Sequence, residues 1–192
     1  MNEDDILFLK PVELEISSLS FDGYVLDIGG GGEGVIGRLE GSQVVSIDRR
    51  RDELEEAPEG PLKIVMDARQ LQFLDDTFAA ATAFFSLMYF DHSVDLEAAL
   101  AEIYRVLKPG GLFRIWDVDT SALPRTKKPL FAVRLKYIVK GIASATSYGR
   151  PWPTQTRDRS YYRDCARAAG FIHVDTEIIE YTFCSTFRKR EP

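Results

Sequence analysis

The sequence predicts a single α/β domain in which a mainly parallel sheet is covered by helices on both faces. From residue 24 onward, strand patterns and amphipathic helix patterns alternate five times, which is typical of parallel strands joined by helical crossovers. A glycine-rich turn joins the first of these strands to its helix. Near the end of the chain two strand patterns follow each other with almost no link, and so short a link permits only an antiparallel pair.

The glycine turn lies in the stretch YVLDIGGGGEGVIGRL, residues 24–39. Glycines let the backbone adopt positive φ and approach a ligand closely, and the first turn of a helix leaves amide groups unpaired. Gly29, Gly31 and Gly34 match the Gly-x-Gly-x-x-Gly fingerprint, which taken alone is weak evidence for a dinucleotide. Asp27 precedes them, where a carboxylate would repel a pyrophosphate but suit a ligand with an amino group and a positive centre. A tight turn without a ligand is the alternative.

The other elements are placed by apolar periodicity and by glycine and proline punctuation. A short amphipathic piece spans residues 12–19. We predict strands over residues 43–47, 62–66, 79–87, 112–116, 171–180 and 182–189, and helices over residues 35–39, 49–56, 96–107 and 161–169. The continuous apolar run at 79–87 is typical of a central parallel strand that is buried on both faces.

Carboxylates stand at the ends of several predicted strands. Asp48 follows the second strand, 21 residues after Asp27, where a carboxylate can accept hydrogen bonds from both hydroxyls of a ribose held at the glycine turn. It can also cap the following helix, and the two roles can hold together. Asp67 and Ala68 follow the third strand and suggest a position that reads a base. Asp117 and Asp119 follow the fifth.

Composition narrows the class of protein. The chain has 192 residues, of which 45% are hydrophobic, and no low-complexity segment, which fits one domain spanning residues 1–192. Without a charged-then-apolar leader or an apolar run near 18 residues, we expect a cytoplasmic protein without membrane spans. Cys165 and Cys184 are expected to be reduced, and with only two histidines no metal site is expected.

Charge is unevenly distributed along the chain. The formal net charge is −6, yet residues 121–160 hold nine basic residues and one acidic residue. A solvated basic face is the default interpretation, and a patch that attracts an anionic substrate is the alternative.

With these residues together, the sequence resembles the class I S-adenosylmethionine-dependent methyltransferases of the type 11 kind, from about residue 25 to residue 188. The glycine turn with its leading acid, Asp48, the Asp67-Ala68 pair, Phe78 before a buried strand and the Leu-Lys-Pro-Gly-Gly run at 107–111 carry the resemblance. It implies a Rossmann-like, doubly wound, seven-stranded sheet with an antiparallel C-terminal strand, in three α/β/α layers. It also implies S-adenosylmethionine as cofactor and the cofactor-binding positions Asp27, Gly29, Gly30, Gly31, Asp48, Asp67, Ala68 and Phe85.

One position departs from the family pattern. Glu33 stands where the family usually has a third glycine, and Gly34 is shifted by one residue. Glu33 can be an acid in the first turn of the helix, stabilised by the helix dipole by about 0.3–1 kcal/mol, or it can face the ammonium group of the cofactor. The sequence leaves both alternatives open.

In such an enzyme, catalysis rests mainly on holding a nucleophile in line with the reactive methyl group. The candidates for a base at the strand ends are Asp117, Asp119, Tyr89 and His92, each of which can instead be a cap or a loop polar group. Residues 86–89 read Ser-Leu-Met-Tyr, not the Asn/Asp-Pro-Pro-Tyr run of enzymes that methylate exocyclic amines.

We favour a methyltransferase acting on a small molecule, with RNA or protein as possible substrates. A catalytically silent, methyltransferase-like binding subunit is one alternative. An NAD-binding oxidoreductase is another, although 192 residues leave little room for its substrate domain.

Substrate selection is expected in an insertion at about residues 120–160. Leu130, Val133, Leu135, Ile138 and Val139 form a helix-compatible pattern there, and residues 148–153 read Tyr-Gly-Arg-Pro-Trp-Pro, a rigid turn with two aromatic side chains. We predict a lid that includes Trp152, with a surface helix and loop that only pack on the sheet as the alternative.

Overall fold

The computed structural model describes residues 3–18 and 22–191. The strands are β1 (Ile6–Phe8), β2 (Val12–Glu15), β3 (Val25–Ile28), β4 (Val44–Asp48), β5 (Leu62–Val65), β6 (Phe78–Phe84), β7 (Leu107–Val118), β8 (Leu130–Val139), β9 (Ile142–Pro151), β10 (Ile172–Ile179) and β11 (Thr182–Arg188). The helices are α1 (Val35–Glu40), α2 (Arg51–Glu56), α3 (Ser93–Val106) and α4 (Arg159–Ala168). Part of the predicted piece 12–19 is therefore β2, and Leu19 lies outside the described residues.

The main sheet confirms the predicted fold class. Its seven strands lie in the order β10-β11-β7-β6-β3-β4-β5. The five strands from β7 to β5 are parallel, and β11 is antiparallel to both of its neighbours. Because parallel strands share a direction, the carboxyl ends of β3, β4, β5 and β6 meet at one edge of the sheet, where open α/β folds bind ligands.

Two apolar cores lie on opposite faces of this sheet. On one face α3 and α4 pack with residues such as Leu100, Ile103 and Ala166 against the central strands. Alternate residues of β6 belong to each core, Ala83 to the first and Phe84 to the second, as expected for a central strand buried on both faces. None of the helices within the described ranges is long and apolar enough to cross a bilayer.

The second face differs from the sequence prediction. It is covered by α1 together with a second sheet, in which β8 pairs with β1 and β2 in parallel and with β9 in antiparallel fashion. The predicted helix within the insertion is therefore wrong: residues 130–139 form β8, and a hairpin turn at Lys140 and Gly141, both with positive φ, leads into β9.

The burial pattern of residues 130–139 has the period of a strand and not that of the predicted helix. From Val133 onward the buried side chains of β8 alternate with the exposed Arg134, Lys136 and Ile138. The buried side chains of the strand are Phe131, Ala132, Val133, Leu135, Tyr137 and Val139. An alternation of period two signals a strand with one buried face, and it was present in the sequence.

Candidate functional site

A cavity of about 830 Å³ opens at the carboxyl ends of the parallel strands. Its walls come from the loops after β3, β4, β5 and β6, from the start of α3 and from β9 of the second sheet. Sequence-predicted residues on the walls are Gly29, Gly31, Asp48, Ala68, Phe85, Tyr89 and His92. The insertion contributes Ser147, Tyr148 and Gly149, so the second sheet is part of the site.

The glycine turn passes through a space that excludes side chains. Gly29 has a φ of 70°, and a Cβ there would lie 2.5 Å from the Cβ of Ser86. At Gly31 a Cβ would lie 2.5 Å from the Cβ of Glu53 and 3.1 Å from Asp48 Oδ2. The amide of Gly29 donates to the carbonyl of Ile47 at 2.8 Å, which joins the turn to the end of β4. Bare backbone therefore faces the cavity at Gly29 and Gly31.

Asp27 lies beneath this turn and does not line the cavity. The hydroxyl of Thr82 donates to its Oδ1 at 2.7 Å, and a Cβ on Gly30 would lie 2.6 Å from its Oδ2. Burial raises the pKa of the Asp27 carboxyl to about 7, although the Thr82 hydrogen bond opposes this shift and Asp48 adds to it. The carboxyl thus supports the turn from below, and its expected contact with a ligand amino group stays a prediction.

Asp48 forms the turn after β4 and lines the cavity, and its expected contact with ribose hydroxyls stays a prediction. Its Oδ1 accepts the backbone amide of Arg50 at 2.8 Å, which shapes the entry to α2, and the residue also lines the cavity beside Gly31. Asp48 is not the N-cap of α2, because that position belongs to Arg50.

Ala68 lines the cavity, whereas Asp67 beside it is held by an arginine. Arg69 donates to the Asp67 carboxylate through Nη2 at 2.6 Å and reaches Asp95 through Nη1 at 2.7 Å. The hydrogen bonds from Arg69 lower the pKa of the Asp67 carboxyl. The structure therefore places Arg69, which the sequence analysis did not select, on the wall near the expected base-reading position.

Phe85 occupies a conformation that non-glycine residues rarely adopt. Its φ is 50°, its side chain is buried, and its ring stacks on that of Tyr148 with centroids 5.6 Å apart and planes 8° apart. Its amide donates to the carbonyl of Trp116 at 2.8 Å. Such strain concentrates at functional sites, where the surrounding structure holds the residue in place.

Of the four candidate bases, the structure brings Tyr89 and His92 to the cavity. The Tyr89 hydroxyl donates to the carbonyl of Gly149 at 3.4 Å. Partial burial, with a contribution from Asp117, raises the pKa of Tyr89 to about 12. Tyr89 therefore stays protonated near neutral pH and acts as a hydrogen-bond donor. His92 is the N-cap residue of α3 and is exposed at the cavity mouth.

Asp117 and Asp119 lie away from the walls. Asp117 is fully buried and accepts the amide of Val118 at 2.7 Å; burial raises its pKa to about 7. Asp119 forms an ion pair with Arg159 at 3.0 Å and caps the turn that follows. Both acids are structural parts of the sheet end.

Glu33, which stands where the family usually has a glycine, contacts the second sheet. Its carboxylate accepts hydrogen bonds from the hydroxyls of Thr146 and Tyr148, the latter at 3.2 Å, and both donors belong to β9. Glu33 also lines the cavity. These contacts could not be read from the sequence, because they join residues more than a hundred positions apart.

Trp152 packs on the second sheet, and the predicted lid that includes it stays a prediction. Its indole Nε1 donates to the carbonyl of Lys128 at 2.9 Å, and its ring packs on Phe131 with centroids 4.9 Å apart. Trp152 is not among the cavity residues, whereas Tyr148 of the same segment is. The aromatic side chain that reaches the site is thus the one on the strand.

Four of the nine basic residues of the segment 121–160 are buried or paired. Arg150 and Arg157 are buried, Arg159 pairs with Asp119, and Lys136 pairs with Glu13 at 3.3 Å. Arg125, Lys127, Arg134 and Lys140 are exposed, so a patch that attracts an anionic substrate stays a prediction.

Within residues 3–18 and 22–191, no group of three histidine, cysteine, aspartate or glutamate side chains is arranged to hold a metal ion. Cys165 and Cys184 are free thiols. Burial raises the pKa of the Cys184 thiol to about 12, so it stays protonated.

The site suits S-adenosylmethionine, the cofactor that the resemblance implies. The bare turn at Gly29 and Gly31 leaves room for a close approach, and the Asp48 carboxylate stands beside it. The apolar surfaces of Met66 and Ala68 complete this end. The volume of about 830 Å³ lies in the range of small-molecule sites.

Comparison with known proteins points in the same direction. A family model described as a methyltransferase domain matches residues 26–115. A ubiquinone/menaquinone biosynthesis C-methyltransferase of Desulfotalea psychrophila is 32% identical over 171 residues, covering 79% of this chain and 67% of the relative. A demethylmenaquinone methyltransferase of Clavibacter sepedonicus is 34% identical over 119 residues, covering 57% of this chain and less than half, 46%, of the relative. A solved methyltransferase from Methanosarcina mazei has a TM-score of 0.67 at 16% identity and covers 91% of this chain and 95% of its own.

The raised pKa of Asp117 predicts a specific pH dependence of stability. The folded state keeps this proton up to about pH 7, whereas an aspartate in the unfolded chain releases it near pH 3.8. The stability that Asp117 contributes therefore falls as the pH rises between these values. Asp117→Asn removes this titration. Relative to the wild type, the variant should therefore gain free energy of unfolding between pH 4.5 and pH 8, by up to ~1.4 kcal/mol per pH unit. Urea unfolding at both pH values measures this.

The matched control is Asp164→Asn, which replaces an exposed carboxylate on α4 and should not change the trend. A stability difference between Asp117→Asn and the wild type that is the same at both pH values would show that Asp117 is ionised in the fold.

Proposed function

The chain belongs to the class I S-adenosylmethionine-dependent methyltransferases, and from this premise we propose that it methylates a small, largely apolar molecule with a planar ring. The observation that carries the proposal is the aromatic wall of the cavity. Phe84, Phe85 and Tyr148 contact one another, and Tyr89 and Phe90 line the same side. Aromatic faces of this kind favour stacking with a planar ligand.

The cavity has two ends of different chemistry. The end made by the glycine turn, Asp48 and Ala68 is suited to the cofactor, which when bound supplies an electrophilic methyl group on a sulfonium. Asp48 is placed to accept hydrogen bonds from ribose hydroxyls. We propose that Phe85 and Tyr148 border the other end, where an acceptor ring packs against them, and the expected contact of Phe85 with the cofactor stays a prediction. Positioning of this kind can supply ~7–11 kcal/mol of the barrier.

We expect polar side chains on these walls, among them Tyr89, His92 and Ser147, to orient a hydroxyl group of the acceptor. Tyr89 stays protonated and can donate a hydrogen bond to an acceptor oxygen. His92 is the titratable imidazole on this wall and is the candidate to take the proton that the acceptor loses on methylation. We propose that His92 is the base and that Asp117, which the fold buries, is not.

The names of the relatives narrow the acceptor further. The two bacterial relatives are named for methylation in quinone biosynthesis, one of them explicitly at carbon. A reduced quinone has a planar ring that carries hydroxyl groups, which suits an aromatic wall with hydrogen-bonding side chains beside it. We therefore propose a quinol-like ring as acceptor. The net charge of −6 gives little support to RNA as the acceptor.

The test is methyl transfer from S-adenosylmethionine with an isotope-labelled methyl group to a reduced 1,4-naphthoquinone that lacks a ring methyl, followed by mass spectrometry. The expected result is one added labelled methyl on a ring carbon, with S-adenosylhomocysteine formed in equal amount. No transfer to this compound, together with transfer to an amine or to RNA, would refute the acceptor class. Cofactor binding with no transfer to any acceptor would favour the catalytically silent binding subunit.

Cofactor recognition gives a second prediction. Asp48→Ala should weaken binding of S-adenosylhomocysteine by ~1.5–3 kcal/mol, the range for hydrogen bonds to a charged group, as measured by calorimetry. The control is Asp52→Ala, which removes a nearby exposed carboxylate that pairs with Arg50. The wild type should not respond to NAD. Unchanged affinity in Asp48→Ala at unchanged stability would leave Asp48 with only its turn-forming role.

A further inference from the structure

Glu33 joins two parts of the molecule that have separate tasks in the proposed function. It belongs to the loop between β3 and α1, whose glycines form the cofactor end of the cavity. Its carboxylate is held by Thr146 and Tyr148, two residues on the same side of β9. β9 supplies the acceptor wall through Ser147, Tyr148 and Gly149. One side chain therefore connects the cofactor loop to the acceptor wall.

Tyr148 is fixed from two directions. Its hydroxyl donates to Glu33 at 3.2 Å, and its ring stacks on the strained Phe85. Burial, followed by the nearby Glu33 carboxylate, raises the pKa of Tyr148 well above its usual range, so the phenol keeps the proton that it donates. With both ends of the side chain held, the position of the ring sets how wide the acceptor end can be.

The loop side of this link depends on backbone conformation. Glu33 stands between Gly32 and Gly34, which have φ values of 58° and 51°, and the Gly34 amide donates to the carbonyl of Gly31 at 3.2 Å. Gly31 is itself a cavity residue. A ligand pressed against the turn therefore acts on the backbone that carries the Glu33 carboxylate, and through it on β9.

We propose that Tyr148 sets the width of the acceptor pocket, and that Glu33 is a positioning residue that couples this wall to the cofactor loop. The inference rests on the proposed function. Its consequence is reciprocal: cofactor binding orders β9, and an acceptor that packs on Tyr148 strengthens cofactor binding by the same factor. Such coupling typically amounts to a factor of about 5 to 150.

Hydrogen exchange measured by mass spectrometry tests the coupling without turnover. In the wild type, saturating S-adenosylhomocysteine should slow exchange of amides 144–149 by about five-fold or more, the lower end of that range. Glu33→Ala should abolish this slowing, because it removes the acceptor of both hydroxyls. Glu33→Gln keeps one carbonyl oxygen and should restore part of it. Tyr148→Phe should weaken it while the ring stays stacked.

Two control variants alter the same sheet or the same kind of group elsewhere. Glu13→Gln removes an exposed carboxylate of β2 that pairs with Lys136, and Tyr181→Phe removes a hydroxyl that donates to the Lys10 carbonyl. Both should retain the slowing. Thr146→Val tests the second hydroxyl, and thermal unfolding of every variant identifies any that fail to fold.

Turnover of the reduced naphthoquinone supplies a second readout. Glu33→Gln and Tyr148→Phe should raise the acceptor KM more than they lower kcat, because they loosen a wall and leave His92 and Tyr89 in place. Slowing of exchange that is equal in the wild type and folded Glu33→Ala, despite tight binding of S-adenosylhomocysteine, would overturn the coupling alone. A wild type that does not bind S-adenosylhomocysteine would overturn the proposed function and the coupling with it.

Discussion

The site depends on one constraint. The turn after β3 is packed so closely by its neighbours that it has no room for side chains. Ser86 and Glu53 approach this turn so closely that Gly29 and Gly31 cannot be replaced without moving the end of β6 or the start of α2. The same proximity brings Asp48 beside the exposed backbone. The ends of β3, β4, β5 and β6 therefore lie around one cavity, and backbone of the glycine turn forms part of its cofactor end.

The second sheet supplies the wall of the cavity that carries Tyr148. Its inner face packs on the main sheet through residues such as Val133 and Leu135, and its strand β9 carries Tyr148 over the cavity. Because β9 is hydrogen-bonded to β8 along its whole length, the wall that it forms is stiffer than a free loop. Glu33 then fastens this wall to the turn. The acceptor end is thus built from the strained Phe85 and from a strand that β8 holds on one side and Glu33 on the other.

Two carboxyl groups near the strand ends are buried in the fold and do not line the cavity. Asp27 and Asp117 stand at the ends of β3 and β7, yet both are covered, and burial raises the pKa of each to about 7. A carboxyl in this state supports the strand end with little penalty for a buried charge. By contrast, Tyr89 and His92 line the cavity and are exposed.

Sequence pattern predicts those structural features that a few neighbouring residues encode. The glycine turn, the alternation of strands and helices and the antiparallel terminal pair follow from periodicity and link length, and the structure contains them. Whether Asp117 faces a ligand or the core depends on packing that local sequence does not record. The contact of Glu33 with Tyr148 joins distant segments, so no local pattern reports it. The strand β8 differs from these, because the alternation of its buried and exposed side chains can be read from the sequence of residues 133–139.

An experimental structure of the complex with S-adenosylhomocysteine tests the central claim most directly. We expect the ribose hydroxyls to lie within hydrogen-bond distance of the Asp48 carboxylate. We also expect the ligand sulfur to face the space between Phe85, Tyr148 and His92. A ligand bound outside this cavity, or a sulfur turned away from the aromatic wall, would contradict the assignment of cofactor and acceptor ends.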